Sequence, residues 1–301
     1  MSHKHFNNSK DQTPEKNLFI TIGLNILITI VQIIGGLISG SLSLISDALH
    51  NFSDATAVVI TLIALRLAKK PYTTKYTFGM KRAEIVAAVV NASILIVISF
   101  FIIREAIERF KNPNEISGNL MLIIAVIGFI PNVIGALLLK KGSEKSLNIR
   151  AAYFHLVSDA ISSIAIIVGA FFIITYKVYR VDSILTILIS LYILVEAYKI
   201  LKESIDILMM SNTEEIDLEE IKEIVEKIPG VKNIHHIHLW KLNDMDTHFE
   251  AHIEVEDMSV SKTSEIQKLI SAELHKRYDI NHTTLQFECE ICEQIDILAN
   301  H

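Results

Sequence analysis

The sequence predicts an α-helical membrane protein: six transmembrane helices followed by a small cytoplasmic α+β domain of order α-β-β-α-β. Three observations lead there. Six apolar stretches of about 20 residues occur before residue 210, each long enough to cross a hydrocarbon core. Charge divides the chain at the same place: Met1–Met210 holds 20 Lys and Arg against 14 Asp and Glu, whereas Ser211–His301 holds 8 against 20. The apolar periodicity also changes there, from unbroken runs to short helical and alternating patterns. These breaks define an N-terminal tail (1–17), a membrane domain (18–210) and a soluble domain (211–301).

Taken in order, the predicted spans are Leu18–Ser39, Leu42–Leu67, Glu84–Ile103, Leu120–Leu139, Ala151–Tyr176 and Ile184–Ile200. A tight Ser39-Gly40-Ser41 turn joins the first two, and the last span continues as helix through Lys202-Glu203-Ser204-Ile205-Asp206. The polar tail, with His3 and His5, reads as solvated and lacks the pattern of a cleavable secretory signal. Lys69, Lys70, Lys75, Lys81 and Arg82 cluster between spans two and three, and Lys140, Lys141, Lys145 and Arg150 between spans four and five. The positive-inside rule then places both termini in the cytoplasm, an arrangement that suits a bacterial inner-membrane protein.

Within the spans the pattern His-x-x-Ser-Asp-Ala occurs twice, at His50–Ala55 and at His155–Ala160. An i,i+4 spacing puts His50 with Asp54, and His155 with Asp159, on one helix face. An ionisable group in a bilayer costs about 3 kcal/mol on insertion scales, so matched pairs imply use. Spans two and five run antiparallel, and all four side chains fall near mid-membrane. Two imidazoles and two carboxylates are the donors of a closed tetrahedral divalent site. Oxygen-seeking Mg²⁺ and Ca²⁺ are disfavoured, and Zn²⁺ is expected, with Cd²⁺ and Co²⁺ as side substrates. Protons compete with metal for imidazole nitrogen, which makes His50 and His155 the expected proton carriers. Asp47, one turn before His50, is expected to guide ions at the outer mouth, to hydrogen-bond His50, or to cap the turn at Ser46.

In the soluble domain, Ile216, Leu218, Ile221, Ile224, Val225 and Ile228 keep helical spacing up to Pro229-Gly230. Val231–Lys241 and Thr247–Glu256 alternate as a hairpin around Asn243-Asp244, Lys262–Tyr278 reads as a second helix, and Thr283–Cys289 as the last strand. A hairpin centred near Met245 sets His238 opposite His252 and Trp240 opposite Glu250, with His248 and Glu254 on the face of His252. His238 and His252 are thus expected to share a regulatory metal, with Glu288, Cys289 and Cys292 as further ligands and Glu265 and His282 as outer candidates. Two cysteines imply no disulfide framework, and a single Cys-x-x-Cys is a weak metal signal. The strong acidity of the domain excludes nucleic acid as a partner.

Several segments together resemble the cation diffusion facilitator family, in its zinc-transporter branch. They are Ser43–His50 leading into Asp54, Tyr76-Thr77-Phe78-Gly79 followed by Arg82-Ala83-Glu84, the His155/Asp159 pair, Leu201–Asp206, and His238-Leu239-Trp240. The resemblance implies a homodimer in a lipid bilayer, a metallochaperone-like soluble domain, and alternating access that exchanges Zn²⁺ for protons. It also implies that His50, Asp54, His155 and Asp159 form the transport site. Arg82 and Asp206 match a charge pair that locks the membrane halves at the dimer interface. Departures from the family include a segment Pro71–Met80 without acidic or histidine ligands, and Gln286 and Glu265 where some relatives use histidine. No enzymatic activity or organic cofactor is expected: the zincin motif HExxH is absent, and four ligands would close the shell an intramembrane metalloenzyme needs open. A metal-gated membrane sensor is the other alternative.

Overall fold

Six helices of 26 to 30 residues occupy the apolar region: α1 (Thr13–Ser39), α2 (Leu42–Ala68), α3 (Ala83–Lys111), α4 (Gly118–Ser143), α5 (Leu147–Tyr176) and α6 (Arg180–Leu208). At 1.5 Å per residue even the shortest exceeds the ~30 Å hydrocarbon core. Apolar windows of mean hydropathy 2.0 to 2.7 lie within α3, α4, α5 and α6, and α1 adds the shorter apolar run Ile26–Ser39. The chain is an integral membrane protein. The structure is a computed structural model that describes residues 13–68, 70–143, 147–212, 216–243, 246–289 and 297. It comprises two units, Met1–Thr61 with Asn91–Tyr198, and Leu62–Val90 with Lys199–His301.

In the first unit, Leu44, Met121, Ile166 and Ile173 form the centre of an apolar core. The turn between α1 and α2 rests on Gly40, whose φ of 78° suits a residue without a side chain. The next turn is capped from a distance. Asp182, near the start of α6, accepts hydrogen bonds from the hydroxyls of Ser41 and Ser43 (2.6 Å each) and from the backbone N–H of Leu42 (2.9 Å) and Ser43 (3.3 Å). A carboxylate there satisfies the orphan donors of α2 and complements its dipole.

The second unit carries α7 (Leu218–Glu226), β1 (Val231–Lys241), β2 (Thr247–Val255), α8 (Val260–Tyr278) and β3 (His282–Glu288). The order is the α-β-β-α-β that the sequence predicts. Asp217 caps α7 by accepting from the Glu219 N–H at 2.9 Å. The strands lie in the order β1-β2-β3, the first pair antiparallel and the second parallel. Ile234, Ile237, Leu239, Phe249, Ala251 and Ile253 turn toward Ile221, Val225, Ile266, Ile270 and Leu274, so both helices cover one sheet face. Strand alternation sends the histidines to the opposite face.

The hairpin register differs from the expectation. His238 lies opposite Glu250, not His252, and Trp240 lies opposite His248, not Glu250. Two local features shift it. The turn closes between Leu242 N–H and Asp246 C=O (2.9 Å), with Asp246 N–H on the Asn243 side chain (2.7 Å). A bulge then falls between His235 and His238, where His236 adopts a φ of 53°. The turn moves the partner of His252 from His238 to His236, and the extra residue moves it on to His235.

Candidate metal centres

Helix α2 presents His50 and Asp54 one turn apart, and α5 does the same with His155 and Asp159. The four meet as a ring of alternating nitrogen and oxygen. His50 Nε2 lies 3.6 Å from Asp54 Oδ2 and 3.5 Å from Asp159 Oδ1. His155 Nε2 lies 3.4 Å from Asp54 Oδ2 and 3.6 Å from Asp159 Oδ2. Asp54 offers one oxygen to both imidazoles, whereas Asp159 spans them with its two. The ring contacts are longer than hydrogen bonds, and His50 Nε2 and Asp54 Oδ2 are buried without a hydrogen-bond partner. Buried polar atoms held at non-bonding distance are the arrangement a bound cation would complete.

Exposure is graded across the ring: Asp159 is 6% exposed, His50 14%, Asp54 35% and His155 45%. A cavity of about 50 Å³ adjoins it, lined by Asn51, Asp54, Gly128, Asn132, His155 and Asp159 among others. The Tyr192 ring of α6 stands edge-on to His50 at 6.0 Å, and its hydroxyl accepts from Ser158 at 3.1 Å. Sequence reasoning missed Tyr192. Asp47 is buried one turn earlier, and its oxygens take hydrogen bonds from Gln32 and Ser162.

A second cluster sits on the open face of the sheet. Glu288 Oε2 lies 3.5 Å from His235 Nε2, and Glu288 Oε1 lies 2.8 Å from His252 Nδ1. Gln286 donates to Glu288 Oε1 at 2.7 Å. One ligand atom from each of His235, His252 and Glu288 lies within 4.8 Å of the others, a fit for one divalent ion with room for further ligands. Sequence reasoning missed His235, although the run His235-His236-Ile237-His238 flagged the strand. His238 instead flanks His236 at 5.0 Å, and His236 stacks on His252 at 4.4 Å. These histidines, with Trp240 and Glu250, line a cavity of about 750 Å³. Cys289 directly follows β3 and is half-buried, while Cys292 lies outside the described residues. Glu265 is exposed on α8, and His282 packs on His248 at 4.4 Å, so the structure does not bring either into the His235 group.

The segment before α3 rests on the hairpin within the same unit. Lys81 Nζ lies 2.7 Å from Asp246, a contact that raises the lysine pKa. Phe78 stands edge-on to Trp240 (6.3 Å) and to His248 (5.6 Å), which stack on each other at 4.5 Å. The Arg82 guanidinium lies over Trp240 at 5.6 Å, and no ion pair joins Arg82 to Asp206 among the described residues.

Comparison with known proteins adds two family matches. Residues 18–209 match the cation efflux transmembrane domain, and residues 213–290 match the cation efflux protein cytoplasmic domain. Among curated relatives, the metal cation efflux system protein CzcD of Cupriavidus metallidurans is 36% identical, over 94% of this chain and 89% of its own. The zinc transporter ZitB of Escherichia coli is 35% identical, over 100% and 96% respectively. The cadmium, cobalt and zinc/H(+)-K(+) antiporter of Bacillus subtilis is 36% identical, over 96% and 93%.

Proposed function

The chain belongs to the cation diffusion facilitator family, in its zinc-transporter branch, and on that premise we propose that it exports Zn²⁺ from the cytoplasm in exchange for protons through His50, Asp54, His155 and Asp159. The observation that carries this reading is the ring of alternating nitrogen and oxygen at 3.4 to 3.6 Å. A tetrahedron whose ligand atoms lie 2.0–2.2 Å from its centre has edges of about 3.3–3.6 Å. The N–O separations match that length, one ligand atom each from His50, Asp54 and His155 lies within 4.8 Å of the others, and Asp159 meets the two imidazoles through different oxygens. Two carboxylates balance a divalent charge, and two imidazoles turn preference away from Mg²⁺ and Ca²⁺ toward Zn²⁺, Cd²⁺ and Co²⁺. The relatives' names run the same way: zinc for the Escherichia protein, and cadmium, cobalt and zinc for the Bacillus one.

Proton exchange follows from the donor set. Zinc needs the unprotonated imidazole, so a proton taken by His50 or His155 releases metal and metal expels protons. Imidazole titrates near neutral pH, which suits both directions of the cycle. The orientation favoured by the lysine- and arginine-rich loops puts both termini in the cytoplasm of a bacterial cell, with the protein in its inner membrane. His155 and Asp54, the exposed end of the ring, then face the cytoplasm and receive the ion. The protein acts as a homodimer without enzymatic activity. His235, His252 and Glu288 would hold a regulatory zinc in the soluble domain, with Cys289 and Cys292 as further donors.

Zinc uptake into inside-out proteoliposomes, recorded with a pH indicator, tests the reading. Zinc entry with matching proton movement, abolished in His50→Ala, is expected. Flux without proton movement would overturn the exchange, and wild-type flux in His50→Ala would overturn the site.

A further inference from the structure

One turn beyond the ligand ring, a hydrogen bond joins α2 to α5 that metal ligation does not require. Ser162 donates to Asp47 Oδ1 at 2.7 Å, and Gln32 Nε2 of α1 donates to Asp47 Oδ2 at 3.0 Å. Gln32 Oε1 in turn accepts from Asn51 Nδ2 at 3.1 Å, next in sequence to His50. Asp47 is 2% exposed and Gln32 1%. Both carboxylate oxygens of Asp47 are thus occupied by neutral donors, so its side chain is held and not offered to an ion.

The spacing gives this contact meaning. Asp47 precedes His50 by three residues and Asp54 by seven, and Ser162 follows Asp159 by three and His155 by seven. The contacts Asp47–Ser162, His50–Asp159 and Asp54–His155 therefore climb α2 and descend α5 in equal steps. That is the register of two antiparallel helices meeting along one stripe each. A slip of one residue would shift a ligand about 1.5 Å along its helix and about 100° around it, enough to dismantle a tetrahedron. We propose that Asp47, held between Ser162 and Gln32, is a register pin: a positioning group that aligns α5 with α2 so that the four ligands fall at tetrahedral spacing. Gly128 of α4 belongs to the same device, because a Cβ there would lie 2.5 Å from Gln32 Nε2 and displace the amide from Asp47. The pin rests on the transport-site reading above.

The test uses full-length protein in proteoliposomes and measures the zinc concentration for half-maximal uptake, with zinc binding to the purified protein alongside. Losing a hydrogen-bond partner of a metal ligand commonly weakens metal binding by about 10- to 100-fold, and the pin acts one step further out, through helix register, so the low end of that range applies. Ser162→Ala should raise half-saturating zinc by about 10-fold, and Ser162→Thr, which keeps the hydroxyl, should restore it. Gly128→Ala should match Ser162→Ala in the wild-type background yet add nothing to Gln32→Ala, where the amide it displaces is already gone. Wild-type half-saturation in Ser162→Ala, with His50→Ala inactive, would overturn the pin and leave the transport site standing. So would a Gly128→Ala penalty that persists in full beside Gln32→Ala. Wild-type transport by His50→Ala would overturn the transport site and the pin together.

Discussion

Replacing Asp159 by Asn keeps the volume of the side chain and removes one charge from the ligand ring. The carboxylate sets one oxygen 3.5 Å from His50 Nε2 and the other 3.6 Å from His155 Nε2, at 6% exposure. An amide would turn its NH₂ toward one of the two imidazoles, and little water reaches the spot to substitute. Four-ligand zinc sites in small peptides bind with about 10–16 kcal/mol, or about 2.5–4 kcal/mol per ligand. At about 1.4 kcal/mol per tenfold, Asp159→Asn should weaken zinc binding by about two to three orders of magnitude. The assay is competition against a chelator of known affinity, using purified protein in a His252→Ala background so that the soluble cluster does not report. A weakening of less than about threefold, or under about 0.7 kcal/mol, would refute the ring as the ion's binding site.

His252→Ala should raise the zinc concentration for half-maximal transport while preserving the maximal rate; an unchanged curve would remove the regulatory role of the soluble cluster. Burial first, and neighbouring His282 second, hold the His248 imidazole below its ordinary pKa. As pH falls below about 6.5 the unfolded chain takes up this proton before the folded one does, so stability declines until the folded pKa is reached. Melting curves of His248→Phe should show that acid limb flattened, and an identical limb would contradict the assignment. Trp240 is the sole tryptophan of the chain, so its emission reports on the Phe78 contact. Acrylamide should quench Phe78→Ala more strongly than wild type, and equal quenching would mean that the ring does not shield Trp240 in solution.

The repeated His-x-x-Ser-Asp-Ala pattern was legible because helix periodicity alone aligns its polar atoms and because the bilayer makes such residues costly. The α-β-β-α-β order was legible for a similar reason: Ile221, Val225, Ile266 and Ile270 declare their buried faces at helical spacing. The pairing of His252 was not. It depends on where the turn closes and on a left-handed residue at His236, and neither is marked by a glycine in the sequence. Sequence could place the two strands beside each other but could fix neither the turn's closing pair nor the bulged residue, and so passed over His235. Gln32, Ser162, Asp182 and Tyr192 stayed hidden for another reason. Their partners lie 15 to 141 residues away on other elements, and a lone polar side chain in an apolar run does not say which neighbour it meets.

The clasp of Asp182 on the first turn of α2 bears on how access can alternate. Four donors converge on a carboxylate that is 1% exposed, and parting them would leave a buried anion without its partners. That end of α2 and the beginning of α6 must therefore travel as one piece. If the proposed exchange alternates access, the opening of either mouth has to bend or tilt the bundle elsewhere and carry this joint along intact.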